Sequence, residues 1–184
     1  MIEPSVSPVP DPSPQSEAAE AHWSESEQRA WSWPDRLTPS QWSAVHRVLA
    51  PGTSPEPGPF NNDRTPYLAG IMDAAVEEGI EEITVVKATQ IGVSLALHNV
   101  IGFCIDQDPG PALLVLPVEQ ACKEVFAEKI KPLLESSPAL KRHMSSRKWD
   151  TKTHTIVLDS MTLFGGWAGS PSTLAARQIR YVFL

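Results

Sequence analysis

Apolar residues first fall into a regular pattern at Leu37. Behind Thr38-Pro39, an N-cap side chain followed by the proline that suits a first helical turn, Trp42, Val45, His46 and Leu49 recur at helical spacing. Ala50 to Asn62 holds four prolines and two glycines and reads as a wrapping loop. Thr65-Pro66 repeats the cap-then-proline signal. It predicts a helix from Tyr67 to about Glu78, with Leu68, Ile71, Met72 and Ala75 on one face and Gly79 as its stop.

The rhythm then changes. Ile83-Thr84-Val85-Val86 is a β-branched run and predicts a strand. A loop from Ala88 to Val93 leads to a largely apolar helix from Ser94 to about Ile105, carrying Leu95, Leu97, Val100, Ile101 and Phe103. Asp106-Gln107-Asp108-Pro109-Gly110-Pro111 reads as a turn, Ala112 to Leu116 as a strand, and Val118 to about Leu134 as a helix that Pro132 bends or ends. Thr153 to Leu158 and Met161 to Phe164 form a hairpin pattern around Asp159-Ser160. Gly165 to Ser172 reads as a loop, and Ile179 to Leu184 as an apolar strand. Strand, loop, helix, strand, helix in this order predicts right-handed βαβ units, hence an α/β fold built on a parallel sheet with flanking helices. A soluble domain seldom stops on a bare apolar strand, so the domain is expected to be incomplete at this point.

Residues 1–35 are of another kind. Pro4, Pro8, Pro10, Pro12 and Pro14 recur among Ser, Glu and Asp, which predicts a disordered leader ahead of a domain spanning 36–184; Trp23, Trp31 and Trp33 interrupt its polarity. The leader has P-x-x-P character, which fits either peptide recognition or a solvated tail. The net charge of −7 argues against a general electrostatic grip on nucleic acid, leaving only a local patch. Lys141-Arg142-His143 and Arg147-Lys148-Trp149 are such a patch: either a phosphate-backbone contact with Trp149 stacking on a base, or an exposed loop of solubility charges. Cys104 and Cys122 form no C-x-x-C pair and no disulfide framework. The amino terminus lacks the pattern of a signal peptide, and no apolar run reaches the ~18 residues of a membrane span. These features predict a cytoplasmic protein with no membrane partner.

The chemistry concentrates on Lys87-Ala88-Thr89-Gln90-Ile91-Gly92-Val93-Ser94, between a predicted strand and a predicted helix. A phosphate-cradling loop reads G-x-x-x-x-G-K-[ST] in that setting. Aligned on Ser94, Gly92 takes the second glycine, whereas Val93 stands where the lysine belongs and Lys87 where the first glycine belongs. What remains is a tight turn at Gly92, a Ser94 cap on a helix whose first amides can hold an anion, a hydroxyl for Mg²⁺, and a lysine long enough to fold back over the phosphates. A structural turn is the competing reading.

Further blocks surround this loop. Glu56-Pro57-Gly58-Pro59-Phe60, Arg64-Thr65-Pro66-Tyr67-Leu68 with Ile71-Met72-Asp73-Ala74, Val85-Val86-Lys87-Ala88-Thr89-Gln90-Ile91-Gly92, Asp106-Gln107-Asp108-Pro109-Gly110-Pro111 and Ile179-Arg180-Tyr181-Val182 follow in order. The series resembles the N-terminal ATPase region of the large terminase subunit of tailed phages, the lambda type, over roughly Leu37 to Leu184. The resemblance implies an incomplete P-loop NTPase-like fold and an ATP hydrolase that drives double-stranded phage DNA into a prohead. Its implied partners are the small terminase subunit and the portal or prohead, and its implied location is the cytoplasm of the host bacterium.

By the same resemblance Lys87 is the catalytic lysine, displaced to the start of the loop. Gln90, Ile91, Gly92 and Val93 lend backbone to the phosphates of ATP, Ser94 ligates Mg²⁺, and Tyr67 either lies beside the adenine or packs its own helix. Arg64 either reaches the nucleotide or is a solvated arginine beside the helix cap, and Arg177 and Arg180 resemble residues at a turn into the acid-bearing strand, where either would sense the γ-phosphate. The family's acidic pair follows the strand matched by Ile179 to Leu184, and its nuclease domain lies further on, so this chain alone is expected to hydrolyse ATP very slowly. The alternatives are a non-catalytic terminase remnant acting as an interaction protein, and the product of a decayed prophage gene. No other carboxylate substitutes: Asp106 and Asp108 flank a turn and are expected to be solvated, Asp159 is a turn residue, and Glu81 and Glu82 precede the strand. The histidines have no metal-ligand spacing, and His98 is expected to be packed rather than a base.

Overall fold

A computed structural model describes residues 37–145, 147, 150–175 and 177–184. The proline-rich leader with Trp23, Trp31 and Trp33, and Lys148 and Trp149 of the basic segment, lie outside the described residues.

Chain order begins with helix α1 (Pro39–His46), fixed at its start by a reciprocal capping box. The Thr38 hydroxyl accepts from the Gln41 amide, and the Gln41 side chain accepts from the Thr38 amide. Arg47 turns into extended backbone and ends the helix, so Leu49, expected on the helical face, belongs instead to strand β1 (Val48–Leu49). This strand pairs antiparallel with β2 (Gly58–Pro59), closing the proline-rich loop into a short ribbon. Val45, also expected on the inner face, is exposed; the buried face of α1 is Pro39, Ser40, Trp42 and Ser43.

Helix α2 (Tyr67–Asp73) continues as a 3₁₀ turn over Ala74–Val76. Its cap position is Pro66 rather than Thr65, and no side chain caps it. Asp73 at its end accepts from the backbone amide and hydroxyl of Ser40, at 2.8 and 2.7 Å, and so ties α2 to α1.

Helix α3 (Val93–Gln107) is the centre of the helical layer, with Ala96 and every residue from Asn99 to Ile105 buried. It packs against α1 and α2, and against α5 (Lys131–Ser136) and α6 (Pro138–Lys141) further along the chain. Trp42 of α1, fully buried, lies on Gly102 of α3 so closely that a Cβ there would come within 2.7 Å of the indole ring. Between α3 and α5 come strand β3 (Ala112–Leu116), helix α4 (Glu119–Val125) and a π-helical turn, Phe126–Ile130. The expected effect of Pro132 takes this form. Proline removes an amide from the ladder, and the helix widens just upstream, where the Lys131 amide reaches back to the Phe126 carbonyl.

The sheet has five strands in the order β4 (Thr151–Lys152), β5 (Thr155–Val157), β6 (Thr162–Trp167), β3, β7 (Tyr181–Phe183). It is mixed rather than wholly parallel. β6 and β7 run parallel to β3, with Ala112 opposite both Leu163 and Tyr181, while β4, β5 and β6 are joined antiparallel. The expected hairpin is therefore β5–β6, with β6 running on to Trp167 and a short helix α7 (Pro171–Leu174) where a loop was expected. Helix α4 covers β3 and β6, and α7 packs on β6.

The expected strand at Ile83–Val86 does not form. The segment is extended coil without a sheet partner, and Val86 is 97% exposed. β-branched residues favour extended backbone, but a strand exists only where a neighbouring edge satisfies its amides and carbonyls, and none of the described strands pairs here.

Asp106 is likewise not solvated: its side chain is 1% exposed. Oδ2 accepts from the Trp42 indole and from Gln107, both at 2.8 Å. Oδ1 faces Arg142 and, at 3.1 Å, His143, whose other ring nitrogen meets Asp159 at 2.8 Å. Burial alone would raise this carboxyl, but hydrogen bonds from Gln107, Trp42, His143 and Arg142 outweigh it and hold the pKa below the ordinary value. A depressed folded pKa means that the ionised carboxylate contributes stability above about pH 4, the unfolded-chain value. That contribution is lost as pH falls through the lower folded value.

Asp106→Asn sets an amide against donors on whichever side its nitrogen faces, and should lower stability by about 1–3 kcal/mol at neutral pH. The loss should shrink toward acid pH, read as converging melting temperatures of variant and parent; a gap that stays constant with pH would contradict the account. Gly102→Ala should cost about 1–3 kcal/mol by overpacking the indole, measured by denaturant unfolding.

Candidate functional site

The loop ahead of α3 is shaped by two left-handed residues close together, Gln90 at φ 60° and Gly92 at φ 84°. Gln90 is the one non-glycine at positive φ among the described residues, an unfavourable state for an L-residue that persists where its surroundings require it. Gly92 is the N-cap of α3, and a Cβ there would also press on Leu68 at 3.1 Å, so the position needs glycine for both conformation and space. The cap being glycine, Ser94 is not the cap that its sequence suggests. It is the second residue of the helix, exposed, and makes no side-chain hydrogen bond with a described residue.

Intrahelical bonding begins with the Leu95 and Ala96 amides, which both reach the Gly92 carbonyl at 2.9 and 3.0 Å. The amides of Val93 and Ser94 precede that ladder and have no intrahelical acceptor, which leaves donors and the positive end of a 15-residue helix at the loop. Gln90 is exposed, Ile91 and Val93 are half-buried, and Lys87 is exposed at the loop's entrance without an ion pair to a described residue.

One hydrogen bond brings a distant candidate to this loop. The Tyr67 hydroxyl, at the first position of α2, donates to the Ile91 carbonyl at 2.9 Å while its side chain stays half-exposed at 53%. The aromatic ring thus stands beside the loop rather than inside the helical layer.

The arginines are not brought to it. Arg64 pairs with Glu56 at 2.9 Å on the surface. Arg180 pairs with Asp108 at 2.8 Å and lies over the Tyr181 ring, and Arg177 lies over the Phe164 ring. In the basic segment Arg142 and His143 turn inward to Asp106, so two of its basic side chains are engaged within the protein.

The carboxylates are equally engaged: Asp106 in its network, Asp108 with Arg180 and Tyr181, Asp159 with His143. His98 is pushed down to about 4 by burial, and by the charges of Arg47 and Lys129, so it is neutral at physiological pH, in keeping with a packed residue. Burial raises both thiols, Cys104 to about 12, and neither is a nucleophile at neutral pH. No group of three or more metal-ligating side chains occurs among the described residues.

Sequence reasoning passed over Arg47 and Lys129. Arg47 is 5% exposed, and its pKa is lowered by burial to about 10, so it stays charged. Its Nε donates to Asn99 Oδ1 at 3.2 Å, and its Nη1 to the Val48 carbonyl and to Ser137 Oγ. Nothing in a lone arginine after an amphipathic helix announces this, because its partners lie 52 and 90 residues away.

The family model described as "Phage terminase large subunit gpA, ATPase domain" matches residues 54–184. The terminase large subunit of Enterobacteria phage P21 is 25% identical over 107 residues, covering 58% of this chain and 16% of that protein. That of Escherichia phage lambda is 23% identical over 121 residues, covering 66% of this chain and 18% of that protein. The chain thus spans less than a fifth of the length of these relatives. No solved structure matches it. No helix among the described residues is long and apolar enough to cross a membrane. With the family model covering most of the chain, including α2, the loop and α3, the protein belongs to the family of phage terminase large subunit ATPase domains.

Proposed function

We propose that this chain is the nucleotide-binding part of a DNA-packaging motor, in which ATP held on the Lys87–Ser94 loop powers movement of double-stranded phage DNA into a prohead. In this reading it works with a small terminase subunit and the portal, in the cytoplasm of the host bacterium. The observation that carries the reading is the Tyr67–Ile91 hydrogen bond, which holds an exposed aromatic ring against a strained loop at the open end of α3.

The parts divide by chemistry. The adenine lies against the Tyr67 ring. The phosphates sit at the amides of Gly92, Val93 and Ser94, with Gln90 and Ile91 shaping the turn, and the exposed Lys87 ammonium closes over their charge. Ser94 Oγ, at the second position of the helix and without a hydrogen-bond partner among the described residues, suits a magnesium ligand; when bound, Mg²⁺ would supply neutralisation of the phosphate oxygens. Hydrolysis further needs a carboxylate to orient the attacking water. Asp106, Asp108 and Asp159 are each held by other groups, so this chain binds nucleotide without turning it over.

Calorimetric titration with Mg-ATP tests the assignment. Lys87→Ala should weaken binding roughly tenfold to a hundredfold, as expected for loss of a charge-assisted contact. Tyr67→Phe, which keeps the ring but loses the hydrogen bond to Ile91, should weaken binding by less than Tyr67→Ala, which should cost about tenfold. Equal affinity in parent and Lys87→Ala removes the lysine from the phosphates. Phosphate release from Mg-ATP should match buffer alone, and steady turnover that Lys87→Ala abolishes would show that the chain supplies its own water-orienting acid.

A further inference from the structure

A cavity of about 250 Å³ opens beside the first turns of α3. Three separate elements bring basic side chains to it: Arg47 from the end of α1, His98 from α3, and Lys129 from the π-helical turn. Hydroxyls of Thr53, Ser54 and Ser94 complete its polar lining, and no carboxylate lines it, in a chain whose net charge is −7.

The state of these groups is unusual. Arg47 is a buried guanidinium whose partners, Asn99, Val48 and Ser137, are all neutral. Burying a charge without a counter-charge costs several kcal/mol in general, so an anion near it is strongly favoured. The neutral partners fix the plane of the guanidinium through Nε and Nη1, and Nη2 has no acceptor among the described residues. Lys129 and His98 make no hydrogen bond or ion pair with a described residue, although Lys123 and Lys131 beside Lys129 on the same helical run pair with Glu119 and Glu135. The π turn also shifts the helical register at this point, a distortion that often accompanies a binding site.

We propose that this cavity binds a phosphate-class dianion, held by Arg47, Lys129 and His98. Its position is separate from the Lys87 loop, with Ser94 the one residue common to both. The phosphate comes either from solution, as inorganic phosphate, or from the end of a nucleotide seated on that loop.

His98 is the reporter, because it lies within the cavity and feels both cations. Inorganic phosphate is titrated into the isotopically labelled full chain at constant ionic strength, with His98 ring resonances followed by NMR. Phosphate should shift them saturably and raise the pH at which His98 titrates, since a bound phosphate anion opposes the repulsion from Arg47 and Lys129. Lys129→Ala, an exposed truncation whose melting temperature should match the parent's, should weaken the response by roughly tenfold, the loss of one charged contact. Lys87→Ala should leave it unchanged.

A second arm adds ATP. Displacement of phosphate from His98 by ATP assigns the source to the nucleotide, and simultaneous binding assigns it to free phosphate. Indifference of His98 to phosphate, an equal response in Lys129→Ala, or a response abolished by Lys87→Ala would each overturn the proposal. The last would place phosphate on the loop instead. Failure of ATP to bind while phosphate still moves His98 would count against the nucleotide reading alone.

Discussion

Everything described depends on one constraint: the polar ends of a buried apolar helix need partners, whether from the protein, from water or from a ligand. Helix α3 is buried from Asn99 through Ile105, and its ends have opposite requirements. At its carboxyl end Asp106 projects a carboxylate back into the helical layer, where the Trp42 indole, Arg142 and His143 converge on it. That one group links α1, α3 and the segment after α6, so the packing of Trp42 on Gly102 and the docking of the basic segment are consequences of the same helix end. At its amino end no carboxylate arrives. The Val93 and Ser94 amides there have no intrahelical acceptor and lie beside a strained loop that Tyr67 and basic side chains flank.

The asymmetry makes the two ends different in kind. A satisfied end fixes the fold, and an unsatisfied one is available for ligand. Around the amino end the structure accepts a conformation that costs free energy, a left-handed Gln90, beside a Gly92 that leaves no room for a Cβ against Leu68. Strain and free donors at one place are the physical grounds for reading a function there, and membership of the terminase ATPase family agrees with it.

What was legible in the chain follows the range of the interactions involved. The start of α1 could be read because Thr38, Pro39 and Gln41 settle it among themselves. Strand β3 and the β5–β6 hairpin could be read because compact apolar runs and a short turn are local signals. Ile83–Val86 could not, since β-branching states a preference whereas a strand is a relation between two segments, and the sheet offers this one no edge. Asp106 looked like a turn residue because its acceptor role is set by Trp42, 64 positions before it, and by His143, 37 after. Within the candidate site, Lys87 and Gly92 were visible as departures from a known loop pattern. Arg47 and Lys129 were not, because only the fold makes them neighbours of Ser94 and His98.

The distribution of positive charge carries the argument one step further. Arg64, Lys123, Lys131, Arg142 and Arg180 each have a carboxylate partner, so part of the positive charge is neutralised within the chain. A general grip on DNA is therefore unsupported by these residues, in line with the net charge of −7. Three cations without a carboxylate partner among the described residues flank the start of α3, Lys87 at the loop's entrance and Arg47 and Lys129 at the cavity. They differ in preparation. Lys87 is exposed on a flexible stem and must be ordered when an anion arrives, which takes part of its contact energy. Arg47 is already fixed by three neutral acceptors, and that ordering was completed when the protein folded. A pre-organised cation and a mobile one flanking the same helix end suit two successive tasks, holding an anion and closing over one. The cations at the start of α3 thus suit a compact phosphate, held first by the fixed guanidinium and then covered by the mobile ammonium.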